Sequence, residues 1–366
     1  MVQAHGLDVA PGSVVLGPLP QLGEICIYHA LPAAANRVPQ RHASDRKCYA
    51  LARVSGPVST IDAPLGTAQA SRVAPPAVEL SPAREAMVGA MRVRRSLPRR
   101  ERRTVGAWCF ADHMGPASVT ETAGVDIGPH PHTGLHTVTW LLEGEILHRD
   151  SLGSEQVIRP GQLNLMTAGH GVAHSEEATG AYRGQLHGVQ LWVAQPESTR
   201  LGPAAFEHHA ELPRVQLGPS EATILVGTFS GRTSPARADT PLVGVDAVLQ
   251  AGTTDWPLDA HFEHALLILE GATEVDGQTV EAGYLAYLGQ GRQSLALRTN
   301  RQARLLLLGG EPFAEPILMW WNFVARSRAE VETATREWNA QEPRFGSVAS
   351  PLARIPAPPV PAALRG

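Results

Sequence analysis

What most restricts the folds open to this sequence is a pattern of short apolar stretches, each cut off by a glycine or proline turn, that occurs twice. Val138, Trp140 and Leu142 alternate with Thr137, Thr139 and Leu141, and Glu143-Gly144 ends the run. Gln156 to Ile158 stops at Arg159-Pro160-Gly161, and Leu163 to Met166 and Val189 to Val193 read as further short strands. Alternation with a period of two, punctuated this often, predicts an antiparallel barrel or sandwich rather than a helical bundle. The abundance of turn formers, 35 glycines and 30 prolines among 366 residues, fits that reading. The texture then returns. Ala265 to Glu270 with Gly271 matches Thr137 to Gly144, Ala282-Gly283 matches Pro160-Gly161, and Gly289 and Gly291 match Gly169 and Gly171. The pattern predicts an internal duplication, two β-barrels in one chain.

This sets the expected organisation. Residues 1–76 are rich in Ala, Pro, Gly and Ser without a sustained period, and are expected to be a disordered extension or the product of a start codon placed too far upstream. Residues 77–195 form the first barrel, 196–240 a linker and 241–346 the second barrel. A helix at 327–340 belongs to that last segment: Ser327 and Glu330 make a capping box, and Val331, Ala334 and Trp338 lie on one face. The proline-rich residues 347–366 are expected to be a flexible tail.

Composition excludes several classes of function. A formal charge of −4 gives no general drive towards nucleic acid or anionic membrane. Cys26, Cys48 and Cys109 contain no CxxC pair and imply no disulfide framework; Cys109 is expected in the core. There is no signal-peptide pattern at the start and no apolar run of membrane-spanning length, so a soluble cytoplasmic chain is expected, as a monomer. Arg92, Arg94, Arg95, Arg99, Arg100, Arg102 and Arg103 are dense, but without a nucleic-acid-binding motif or an aromatic stripe they read as a solvated edge strand and loop.

The chemistry is concentrated in the histidines. His130 and His132, two residues apart on a strand, share a face, as do His174 and Glu176 on another. If the two strands meet inside a barrel, three imidazoles and one carboxylate converge. That set suits Fe(II), and also Mn, Ni, Cu, Co or Zn, and leaves open positions on a six-coordinate ion. By strand parity His136 is expected to face the same interior, as a lining residue or an acid/base. His148, His170 and His187 are expected on the rim, in loops or in hydrogen bonds, and His208-His209 in solvent.

Taken in order, these residues resemble the pirin family of bicupins. The stretches that carry the resemblance run from Val93 to Pro98, Val105 to Phe110, Asp112 to Pro116, His130 to Gly134, Leu142 to Glu145, His148 to Gly153 and Met166 to Glu176, with Pro160-Gly161 between the last two. It covers the first barrel strongly, the second weakly and residues 1–76 not at all. It implies an all-β protein of two tandem cupin barrels (double-stranded β-helix, jelly-roll-like) with a C-terminal amphipathic helix packed across. It also implies one metal, usually iron, held in the first barrel by His130, His132, His174 and Glu176. The second barrel, with Pro257 and Asp259 opposite the first histidine pair and Ser294 and Ala296 opposite His174 and Glu176, is expected to hold none. Two departures, Leu135-His136 after the histidine pair and His170 in the glycine-rich turn, leave the substrate open.

The activity implied is that of a quercetin 2,3-dioxygenase acting on a chelating flavonol. Glu176 is then the expected catalytic base, His136 the second candidate, and Val138, Trp140 and Met166 expected pocket walls. The alternative implied is a non-enzymatic iron-binding redox sensor that contacts transcription factors or metabolic enzymes as protein partners, with the arginine run as docking face. Neither reading calls for direct contact with nucleic acid or membrane.

Overall fold

A computed structural model of the chain describes residues 76–89, 91–120 and 124–364. The expected extension, apart from Pro76, lies outside the described residues. The alternation of Val138 and Trp140 with Thr137 and Thr139 makes the strand Leu135–Glu143, which lies third in a seven-stranded antiparallel sheet. From one edge, that sheet runs Ala205–His209, Leu163–Thr167, Leu135–Glu143, Gly184–Ala194, Trp108–Val119, Met91–Leu97 and Arg84–Val88. A four-stranded sheet, Ile127–His132, Val172–Glu177, Ile146–Asp150 and Glu155–Ile158, completes the first barrel.

The second barrel repeats the plan. Its small sheet, Gly252–Pro257, Ser294–Thr299, Ala272–Val275 and Gln278–Glu281, has the strand order of the first. In register, Pro257 pairs with Ser294 where His130 pairs with His174. The larger sheet is built around Glu263–Glu270, Ala303–Gly310 and Leu242–Leu249.

The two large sheets pack face to face. Val138, Trp140, Val189 and Leu191 share one buried cluster with Val226, Leu242, Leu267 and Leu308. Burying an apolar side chain of this size contributes about 1.5–3 kcal/mol, so this interface is a second core between the barrels. Trp108 pins it: its Nε1 lies 3.1 Å from the carbonyl oxygen of Val243 and 3.2 Å from that of Gly309. Gly244 makes room for the indole, because a Cβ there would lie 2.7 Å from the Trp108 ring.

Three expectations are corrected. Residues 196–240 are not a plain linker. Ala205–His209 pairs with Leu163–Thr167 at the edge of the first barrel, and Arg214–Leu217 and Ser220–Phe229 extend the large sheet of the second. Ala205–His209 and Arg214–Leu217 are edge strands, which need only one buried face, so their polar residues hid them. Residues 347–364 are held rather than loose. The Ile355 N–H donates to the Pro129 carbonyl (2.9 Å), Trp338 Nε1 donates to Ile355 O (2.8 Å), and the Asn339 amide pairs with both backbone groups of Ala357. Arg354 stacks on the Trp338 ring. Prolines restrict the unfolded chain as much as they break helices, so an extended strap that finds partners is stabilised by them. The arginine run is no edge either: Met91–Leu97 is paired on both sides, and Arg102 lies over the Tyr287 ring with its guanidinium 2.8 Å from Glu79.

The helix is Arg328–Asn339, capped by Ser327, whose side chain accepts from the Glu330 N–H. It buries Val331, Ala334 and Trp338; Ala334 and Trp338 share a cluster with Ala173 of the His174 strand and with Phe323. Among the described residues no helix is long and apolar enough to cross a membrane.

Candidate metal centre

The site forms because two short strands pair antiparallel with His130 directly opposite His174. The alternating geometry puts His132 on the same face as His130, and the two rings lie 5.2 Å apart. One ligand nitrogen from each of His130, His132 and His174 falls within 4.8 Å of the others, and all three residues are buried. His132 Nε2 and His174 Nε2 are 3.0 Å apart.

The outer nitrogens are fixed so that these lone pairs face inward. His130 Nδ1 donates to Gly128 O (2.9 Å) and His132 Nδ1 donates to Asn322 O (3.1 Å). His174 Nδ1 lies 3.4 Å from His148 Nδ1, while His148 Nε2 lies 3.1 Å from Asp150 Oδ2. Asp150 in turn accepts from the N–H groups of Leu152 and Ser154. With His148 donating to Asp150, its Nδ1 is left to accept from His174, which frees His174 Nε2. Outer partners of this kind orient metal-binding imidazoles and raise their basicity.

Glu176, two residues on from His174 along the same strand, lines the same cavity, although the ligand atoms that fall within 4.8 Å of one another are those of the three histidines alone. Among the described residues the Glu176 carboxyl makes no hydrogen bond, and burial alone pushes it up to about 7. Burial, aided by the neighbouring rings, lowers His132 and His174 well below the usual imidazole range, and burial lowers His130 to about 4. Neutral imidazoles converging beside an unpartnered buried carboxyl form a donor set that fits a divalent cation.

The cavity has a volume of about 470 Å³. Besides the three histidines and Glu176 its lining includes Arg95, Phe110, Asp112, Gln190, Trp192, Trp321, Asn322 and Ile355. Sequence reasoning missed this second group. The sequence pattern places Arg95 on a solvated strand and Ile355 in a tail, and alternation along the Gly184–Ala194 strand gives no indication which of its faces is the inner one.

Several expected site residues lie elsewhere. His136 does not reach the cavity: its Nδ1 is 2.9 Å from Thr167 Oγ1 and its Nε2 3.1 Å from Asp239 Oδ2. The parity argument fails because Thr133 and Gly134 (φ +67°) interrupt the strand. Leu135–Glu143 therefore begins afresh in the other sheet, with His136 on the face of Val138 and Trp140. Those two line the interface between barrels, and Met166 packs in a separate core cluster, so none of the three is a pocket wall. His187 pairs with His113 Nε2 at 2.7 Å and with Glu270, and His208 is bound to Asn164 Oδ1 at 2.7 Å rather than solvated.

Two antiparallel barrels from one duplicated plan, with a histidine cluster in the first, define a bicupin. Residues 90–193 match the Pirin family model, and residues 244–346 match that of the Pirin C-terminal cupin domain. The chain belongs to the pirin family. It is 50% identical over 275 residues to a Pseudomonas aeruginosa protein provisionally named as a quercetin 2,3-dioxygenase, covering 75% of this chain and 87% of that one. A pirin-like protein of Caulobacter vibrioides is 38% identical over 265 residues, 70% of this chain and 91% of that one. The crystal structure of a quercetin 2,3-dioxygenase from Acinetobacter baumannii matches with a TM-score of 0.76 at 43% identity, covering 79% of this chain and 97% of that one.

Proposed function

We infer that the chain is a metal-dependent dioxygenase of the quercetin 2,3-dioxygenase type, with Fe(II) held by His130, His132, His174 and Glu176. The observation that carries this is the unpartnered Glu176 carboxyl beside three inward-facing imidazoles, all lining one cavity. When bound, the metal supplies a Lewis acid for a chelating hydroxyl-ketone and a site for dioxygen.

The chain's own residues supply the rest. Glu176, the carboxylate at the metal, would take the acidic hydroxyl proton of a flavonol. Trp192, whose ring packs edge-on to His132 at 5.1 Å, and Phe110, stacked on Trp192 at 4.1 Å, give the cavity a rigid aromatic wall suited to a planar substrate. Ile355 and Trp321 add apolar surface to the same cavity. His136, fixed between Thr167 and Asp239, has no place in the reaction.

The redox-sensor reading has less support. Arg94, Arg95, Arg99 and Arg102 of the expected docking face are engaged within the chain.

The test is oxygen uptake by anaerobically Fe(II)-loaded protein on addition of quercetin, with His174→Ala as control. Uptake by the wild type alone is expected. No uptake by protein carrying about one iron per chain would overturn the flavonol assignment.

A further inference from the structure

The inside of the first barrel holds a polar row where apolar packing is expected. Strand register places Arg95 opposite Asp112, Asp112 opposite Gln190, Gln190 opposite Thr139, Thr139 opposite Asn164, and Asn164 opposite His208. Residues opposite one another in an antiparallel sheet share a face, so one rung crosses six strands. The neighbouring rung towards the histidines is Phe110, Trp192, Thr137, Met166 and Phe206, and the rung on the far side includes Val93, Met114 and Leu141. Burying a polar row between two largely apolar ones costs free energy unless its groups are paired.

The pairing is incomplete in one direction only. Both oxygens of Asp112 are taken by Arg95, by Nε and Nη2 at 2.7 Å each. Gln190 Oε1 is taken by the Thr139 hydroxyl at 2.9 Å. Arg95 Nη1, Gln190 Nε2 and Asn164 Nδ2, all donors, have no hydrogen bond among the described residues, and of the three residues Arg95 and Gln190 line the histidine cavity. The Arg95 guanidinium is also fixed over the Phe110 ring, 4.5 Å from its centroid, so it is held in place rather than free to swing. The acceptors are consumed internally and the donors are left for something else.

We propose that Arg95 and Gln190 are the specificity-determining residues of this site, selecting a planar ligand that carries an acidic oxygen, a carboxylate or an ionised phenol, at the end remote from its chelating group. This rests on the chelating-substrate reading above and narrows it. Two residues along a strand span about 7 Å, so the donor rung lies roughly that far beyond the Phe110–Trp192 rung next to the histidines. A ligand of two or more fused or linked rings spans that interval, whereas a single small chelator does not. Asp112 and Thr139 act as positioning residues by holding the two donors.

The experiment uses the full chain loaded with Ni(II) under conditions without turnover, and follows quenching of tryptophan fluorescence. The probes are 3-hydroxyflavone bearing a 4′-carboxylate and the methyl ester of the same compound. The wild type is expected to bind the acid at least about tenfold more tightly than the ester, the scale of one charge-assisted hydrogen bond. Gln190→Met is expected to reduce that ratio. The double variant Arg95→Met/Asp112→Asn, which leaves no uncompensated buried charge, is expected to bring it to about one, with nickel content unchanged. Circular dichroism establishes that each variant is folded. Equal binding of acid and ester by the wild type, or an undiminished ratio in the folded double variant, would overturn the donor rung and leave the chelation reading standing. Failure of the nickel-loaded wild type to bind either compound would overturn both.

Discussion

Replacing Asp239 measures what His136 is for. The Asp239 carboxylate accepts from His136 Nε2 (3.1 Å), Gln195 Nε2 (3.1 Å), Thr199 Oγ1 (2.6 Å) and Arg237 Nε (2.7 Å). Its side chain is 7% exposed, His136 1% and Gln195 0%. Asp239→Ala strands the buried His136 donor and leaves Gln195 Nε2 only a long contact to Thr199 O (3.4 Å), and a buried donor left unpaired costs about 1–3 kcal/mol. The Arg237 side chain is one-third exposed and recovers water, so its loss adds little. The expected destabilisation is therefore about 3–5 kcal/mol, in the range for a broken buried pair. Asp239→Asn, which keeps an acceptor, should cost about 1–2 kcal/mol, as charge-assisted bonds become neutral ones.

The pH dependence gives an independent check. Burial works to raise the Asp239 carboxyl, but the bonds from His136, Arg237 and Thr199 outweigh it and hold it well below the usual carboxylate range. Its stabilisation is then fully present above the unfolded-state value of about 4, and is lost as the pH falls below that towards the folded value. The gap between wild type and Asp239→Asn should accordingly narrow below about pH 4. The assay is urea unfolding followed by tryptophan fluorescence, with metal content measured in parallel. A loss under about 1 kcal/mol in Asp239→Ala would refute the reasoning. Loss of metal at unchanged stability would return His136 to the site.

Two further outcomes are expected. His132→Ala removes one of three convergent nitrogens and should cut metal affinity by at least about a hundredfold with the fold retained; stoichiometric metal in the purified variant would sink the ligand assignment. Cys109, buried among Leu135, Trp192 and Val324 and with burial pushing its thiol up to about 12, should resist a water-soluble alkylating reagent in the native protein and react only on unfolding. Peptide mass spectrometry reads that site separately from Cys26 and Cys48, and rapid native labelling at Cys109 would contradict the packing.

The helix boundary shows how far local signals carry. Ser327 and Glu330 fix the start of Arg328–Asn339 by side-chain chemistry within one turn, and no long-range contact was needed to read it. The same holds for the histidine pair, whose shared face follows from strand geometry alone, and for the duplication, whose turn glycines recur at matching places. His136 marks the limit. Parity is reliable only along an unbroken strand, and Gly134 at φ +67° breaks it between His132 and Leu135.

The sequence by itself determined what is local or periodic. It specified all-β barrels, two of them, the helix with its cap, and a histidine-rich set with the donor atoms a metal needs. Tertiary structure decided everything that depends on which face of a strand is inside. It sent Val138 and Trp140 to the interface between barrels, brought Arg95 from an apparently solvated run into the cavity wall, and folded the 350s over the strand that carries His130. The physical reason is the same in each case. Alternation along a strand gives two faces but not their destinations, and those are set only when sheets close and pack against one another.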